Sequence, residues 1–169
     1  MHLLHLLRHA KSSWKEGVED HQRPLNRRGR EAARLVGRHL PATAGAIDLV
    51  LCSSAARTRE TLDLVLAEFA LRPRCLIEDA LYLAAREELI ERLQRLAESD
   101  VNVLLIGHNP GLHELAVALA KSDNSRSWTG GKFPTAARIS FCVATPWSAL
   151  GDARHRLVDY VTVGSLAGG

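Results

Sequence analysis

Five apolar runs of strand length, at residues 3–7, 47–52, 101–106, 139–143 and 157–163, recur along the chain with amphipathic stretches between them. Strands alternating with helical patterns predict an α/β fold with a mostly parallel sheet, because parallel neighbours need a crossover long enough to hold a helix. Residues 74–77, with Cys75 and Leu76, fit one more short strand at a sheet edge. Asn26 is placed to cap a helix bearing Ala32, Ala33, Leu35, Val36 and Leu40, with Pro24 before it and Pro41 closing it. Gly29 and Gly37 should each weaken that helix by about 1 kcal/mol relative to Ala. Residues 55–71 carry Leu62, Val65, Leu66 and Phe69 on one face, and 87–97 carry Leu89, Ile90, Leu93 and Leu96 in the same way. Pro110 opens a further helix through Leu112, Leu115, Ala116 and Leu119. A polar, Gly-rich loop is expected at 122–135 and a frayed tail at 164–169.

Three polar clusters each follow a strand run directly: Arg8 and His9; Ser53, Ser54 and Arg57; and Gly107, His108 and Asn109. In a parallel α/β sheet ligands bind beyond the carboxyl ends of the strands, so these clusters should meet at one edge. Two guanidinium forks, together with the helix starts behind Ser53 and Pro110, make a pocket for a phosphoryl group. A neutral imidazole has an unprotonated nitrogen able to attack phosphorus, and a second imidazole can donate to oxygens that gain charge. Since phosphoryl transfer depends mainly on positioning and electrostatics, that set suffices for catalysis.

The remaining composition narrows the class. A length of 169 residues fits one domain spanning 1–169. Lys and Arg total 22 against 19 Asp and Glu, a mild bias with no basic block, which suits an acidic ligand without arguing for nucleic acid. Cys52, Cys75 and Cys142 stand far apart in apolar runs, unlike zinc ligands or a disulfide framework, and read as buried thiols of a reducing compartment. The first apolar segment is too short to cross a membrane and lacks the order of a signal peptide. A cytoplasmic monomer without nucleic-acid or membrane partners is expected.

The stretch Leu7, Arg8, His9, Ala10, Lys11, Ser12, Ser13, Trp14 resembles the opening of the histidine phosphatase superfamily, also called phosphoglycerate-mutase-like. Ala10 stands where most members have Gly, as in the SixA-type phosphohistidine phosphatases. The segment Arg23, Pro24, Leu25, Asn26 with Gly29 resembles the stretch that follows in that branch. Ser53 to Arg57 with Thr61, and Gly107, His108, Asn109, Pro110, Gly111, resemble its second and third motifs, and Phe133 to Ala136 a late loop. Ser54 departs from a common Pro. The resemblance covers nearly the whole chain. It implies a three-layer α/β sandwich, with His9 accepting the phosphoryl group, Arg8 and Arg57 holding its oxygens, and His108 completing the pocket, with no metal or cofactor. Lys11, Ser12 and Asn109 are candidate substrate contacts, although Lys11 and Ser12 could equally face water.

Many phosphomonoesterases of the superfamily carry an acid after the second motif, where a leaving alkoxide must be protonated. Aligning Leu81, Tyr82 and Leu83 to that segment puts Leu83 in the acid's place. Glu78, Asp79, Glu87 and Glu88 lie nearby and could supply an acid instead. Without one, phosphohistidine is the better substrate, because its leaving imidazole is less demanding. A shallow site open to a phosphorylated protein is expected, since the chain lacks large insertions. The alternatives are a phosphomonoesterase acting on a small metabolite and a non-catalytic phosphoryl-binding module. His2, His5, His21, His39, His113 and His155 read as ordinary polar residues, and Gly130, Gly131 and Lys132 as an ordinary loop. Trp14, Trp128 and Trp147 read as local anchors, with Trp128, in the long loop, the one to test for substrate contact.

Overall fold

A strand covered on both faces needs no polar alternation, and β1 (His2–Arg8) shows why its run was legible: it lies inside the sheet. The structure, a computed structural model, describes residues 1–121, 128 and 130–168. Half of the expected 122–135 loop, residues 122–127 and 129, and the last residue of the tail therefore lie outside the described residues. The sheet has six strands in the order β3-β2-β4-β1-β5-β6, with β2 at Leu49–Ser53, β3 at Arg74–Glu78, β4 at Asn102–Gly107, β5 at Arg138–Val143 and β6 at Arg156–Val161. Strands β3, β2, β4 and β1 run parallel, and β5 and β6 are antiparallel additions. β3 is an edge strand, as expected.

Helices α1 (Arg27–Ala44) and α2 (Ala56–Leu66) cover one face, where Val36, Leu40, Leu62 and Val65 pack on Leu7, Val50, Leu104 and Ile106. Helices α3 (Arg86–Gln94) and α4 (Gly111–Leu119) cover the other, where Leu89, Leu93, Leu112 and Leu115 pack on Leu4, Leu6, Leu51 and Leu105. Successive strand residues thus point to opposite helix layers, giving the three-layer sandwich. Leu4, Leu6 and Leu7 are fully buried. Each contributes roughly 1.5–3 kcal/mol through the apolar area removed from water. No described helix is long and apolar enough to cross a membrane.

Several expected boundaries shift. Pro41 does not end α1, which continues to Ala44 and buries Leu40 and Ala44. The bond lost at the proline is outweighed by that packing in the last turn. Gly29 and Gly37 are not mere weak points: a Cβ at Gly29 would lie 2.0 Å from the Lys11 carbonyl oxygen, and one at Gly37 2.8 Å from that of Val65. α2 stops at Leu66, where the Glu68 and Phe69 N–H groups turn back to the Val65 and Leu66 carbonyls and tighten the chain into a turn. α3 begins at Arg86 and ends at Gln94 in the same manner. Pro110 caps α4 instead of lying in its first turn.

The tail is not frayed up to its end but forms α5 (Val163–Ala167), capped reciprocally by Thr162 and Ser165 and resting Val163 and Leu166 against the α1 layer. Trp128 is buried against Phe133 and Tyr160, with its indole N–H donating to the Lys132 carbonyl, so it is a core anchor and no substrate contact. Cys75 is half-buried, and only Cys52 and Cys142 are fully enclosed.

Candidate functional site

The parallel strands β1, β4 and β2 are neighbours, so their carboxyl ends deliver His9, His108 and Ser53 side by side. The rings of His9 and His108 stand 5.3 Å apart between centroids. Arg8, His9, Arg57 and His108 line a depression of about 420 Å³ together with Lys11, Ser12 and Asn109, so all seven candidates drawn from the sequence come together.

His9 is oriented by its own chain. Its Nδ1–H donates to the Ala10 carbonyl oxygen at 2.7 Å. A carbonyl only accepts, so Nδ1 holds the proton and Nε2 keeps its lone pair. Burial, and then the charges of Arg57, Arg8 and Arg23, outweigh that hydrogen bond and hold His9 down at about 4, so the ring is neutral at physiological pH. The loop bearing it is tied down as well: the Ala10 N–H donates to Thr61 Oγ1, and the Thr61 hydroxyl donates to the Arg57 carbonyl.

His108 shares a 2.7 Å hydrogen bond between Nε2 and Ser53 Oγ, while Ser53 Oγ also accepts from the Ala55 N–H. When the Ser53 hydroxyl donates to Nε2, the proton of His108 sits on Nδ1, the ring nitrogen without a partner. Burial, with His9 and Arg57 adding to it, pushes His108 down to about 3. Arg8 donates from Nη1 to the Phe133 carbonyl at 3.1 Å, and burial followed by the neighbouring Arg57 lowers its pKa. Among the described residues five buried side-chain polar atoms have no partner, and four of them belong to Arg8, Arg57, His108 and Asn109. Unpaired buried donors cost about 1–3 kcal/mol each, so the Nε–H groups of Arg8 and Arg57 together mark a site that an anion completes, while Asn109 contributes its acceptor Oδ1.

The supporting candidates have more specific places than their sequence suggested. Ser12 is buried and its hydroxyl accepts from Arg23 at 2.7 Å, so it holds another side chain. Lys11 lies exposed at the mouth, with its backbone carbonyl accepting from the Asn26 N–H. Asn109 donates from Nδ2 to the Phe133 carbonyl at 2.9 Å.

Sequence reasoning missed a second layer around Arg57. Asp20, in a short 3-10 turn (Asp20–Gln22), pairs with Arg57 and Arg23, each at 3.1 Å, and accepts from the Tyr82 hydroxyl. Those hydrogen bonds, Tyr82's foremost, hold its carboxyl at about 2, so it is ionised. Arg23, itself buried, stacks its guanidinium 3.6 Å above the exposed Trp14 ring. His21 is no incidental histidine: it hydrogen-bonds Ser54 and meets Tyr82 edge-on at the rim. Arg23, in the Arg-Pro-Leu-Asn stretch, and Trp14, at the end of the first motif, had a sequence signal, but nothing in the sequence joined either to Asp20.

Leu83 lines the pocket, half-exposed and with a φ of 49°. The four nearby acids are engaged elsewhere or stand apart from the pocket lining. Glu78 pairs with Arg92 at 2.7 Å, Glu88 accepts from the Ala85 N–H at the start of α3, Glu87 pairs with Arg86, and Asp79 opens a short 3-10 turn. The pocket's carboxylate is Asp20.

A family model described as the histidine phosphatase superfamily (branch 1) matches residues 4–101, a span that includes Arg8, His9 and Arg57. An uncharacterized protein of Mycobacterium tuberculosis is 36% identical over 158 residues, covering 91% of this chain and 98% of its own. Among solved structures, a candidate phosphohistidine phosphatase SixA from Nakamurella multipartitia aligns with a TM-score of 0.83 at 26% identity, over 95% of both chains. Another, from Agrobacterium tumefaciens, aligns with a TM-score of 0.80 at 28% identity, over 95% of this chain and 97% of its own.

Proposed function

Because the chain belongs to the histidine phosphatase superfamily (branch 1), we propose that it removes phosphate from phosphohistidine in a protein through a phosphoryl intermediate on His9. The observation that carries this reading is the pinned His9 ring: neutral, with Nδ1–H on the Ala10 carbonyl and Nε2 free in a pocket lined by three arginines and a second histidine. Nε2 attacks phosphorus while the bond from phosphorus to the substrate's ring nitrogen breaks. If the substrate imidazole is protonated at its other nitrogen, it leaves neutral and needs no acid at the breaking bond. Phosphorylated His9, still holding its Nδ1–H, is in the same condition. Water then attacks phosphorus, His9 leaves neutral, and the water proton departs with inorganic phosphate. Arg8, Arg57 and the His108 donor would hold the phosphoryl oxygens throughout.

Two features favour phosphohistidine over an ester. Leu83 offers no proton, and Asp20, ionised and shared by Arg57, Arg23 and Tyr82, is an acceptor and no donor. An ester's alkoxide would leave unprotonated. The presence of Asp20 also sustains a second reading, a small-metabolite phosphomonoesterase, should substrate binding protonate that carboxylate. Turnover of a phosphohistidine peptide and of alkyl and aryl phosphate esters by wild type and His9→Ala separates the two. The expected outcome is a preference for the peptide of at least about a hundredfold in kcat/KM, with phosphoenzyme labelling lost in His9→Ala. A preference for esters overturns the substrate, and labelling that persists in His9→Ala overturns the nucleophile.

A further inference from the structure

The catalytic pocket does not end at its own rim. A groove of about 480 Å³ opens beside it, and Lys11 and Thr135 line both. Its floor is small and apolar, with Ala32 and Val163, and its exposed cations are Lys11, Arg28 and Lys132, with no carboxylate among the described lining residues. Arg27, Arg30 and Arg38 on α1 pair with Glu31, Glu60 and Glu68, whereas Arg28 has no ion pair among the described residues. Lys11 and Lys132 likewise form none among them. Exposed cations gathered on one groove without counter-charges raise the local potential, and an apolar floor between them favours a polypeptide over a bare ion.

We infer that this groove docks an acidic stretch of the phosphorylated protein, next to the phosphohistidine that enters the catalytic pocket. The inference rests on the phosphoprotein reading above. It makes Arg28 and Lys132 specificity-determining residues outside the reacting centre. Their side chains are exposed, and an acid in the first turn of a helix is compatible with α1, so charge reversal should leave the fold intact.

Three phosphohistidine peptides of equal length, with acidic, neutral and basic flanks, test it against wild type, Arg28→Glu/Lys132→Glu and Arg34→Glu. Arg34 is exposed on the same helix but outside the groove lining. KM for the acidic peptide should lie about tenfold below that for the neutral one in wild type, from a few screened pairs. The double variant should erase the difference, Arg34→Glu should keep it, and kcat should stay unchanged. Equal KM for acidic and neutral peptides in wild type overturns the inference, as does an equal loss in Arg34→Glu. Binding of the unphosphorylated acidic peptide, followed by fluorescence anisotropy, reads the groove without turnover. If no peptide is hydrolysed but the acidic one binds through Arg28 and Lys132, the phosphatase reading fails while the groove stands. Equal binding of a single-stranded oligonucleotide of the same charge overturns the peptide assignment.

Discussion

The reactivity of His9 is set by a backbone oxygen one residue away, an arrangement that needs no acidic orienting partner. Asp20 instead acts on the arginines. It neutralises part of Arg57 and Arg23 and sits where an incoming phosphoryl group meets a like charge. Asp20→Asn should therefore tighten competitive inhibition by inorganic phosphate several-fold while leaving hydrolysis of phosphohistidine within about threefold, as steady-state inhibition kinetics would show. A loss of more than about a hundredfold in turnover would instead make Asp20 a proton donor. Arg8, His9, Arg57 and His108 could be found from sequence because each ends or follows an apolar strand run or sits in the first turn of the next helix. Asp20 and Tyr82 could not. They lie in irregular chain, 62 positions apart, and no periodicity announces their meeting.

The helices position the site through close approaches that only glycine permits. Gly29 lets α1 press on the Lys11 carbonyl, and a Cβ at Gly111 in α4 would lie 1.9 Å from the Ala84 carbonyl oxygen, beside Leu83. Helix propensity alone would favour alanine at Gly29 by about 1 kcal/mol. Overlap with a backbone atom reverses the sign, so Gly29→Ala should destabilise by about 2 kcal/mol, measured by urea unfolding. Its kcat/KM should fall at least tenfold even where the protein remains folded, because the loop carrying His9 to Ser12 must shift. Sequence periodicity found every helix except α5 but not where each stopped. Pro41 is tolerated and the ends of α2 and α3 are tightened turns, both decided by packing against the sheet.

Across the whole molecule, three imidazoles are buried in neutral form: His5 and His9 at about 4 and His108 at about 3, each chiefly through burial. His5, within β1, is enclosed between Asn102 of β4 and Ser140 of β5, more deeply than an ordinary strand histidine. The unfolded chain takes up these protons near the ordinary histidine value of about 6.5 and the native state only near 4 and below. Stability is therefore fully present above about 6.5 and falls as pH drops from there toward 4, by up to about 1.4 kcal/mol per pH unit for each group. Urea unfolding between pH 8 and 4.5 would show the decline, and His5→Asn should make it shallower. A midpoint independent of pH across that window would mean that these rings are protonated in the native state.

The Ala136 N–H, at the entry to β5, donates to the carbonyls of both Arg8 and His9. β1, which leads into His9, is the first strand of the sheet along the chain, yet its flanking partners are β4 and β5, far down the chain. Until they arrive, β1 is an unpaired apolar segment and His9 an ordinary peptide histidine, titrating near 6.5 without a phosphoryl cradle. The surroundings of His9 are thus a long-range construction, complete only when the far half of the sheet clasps the near half.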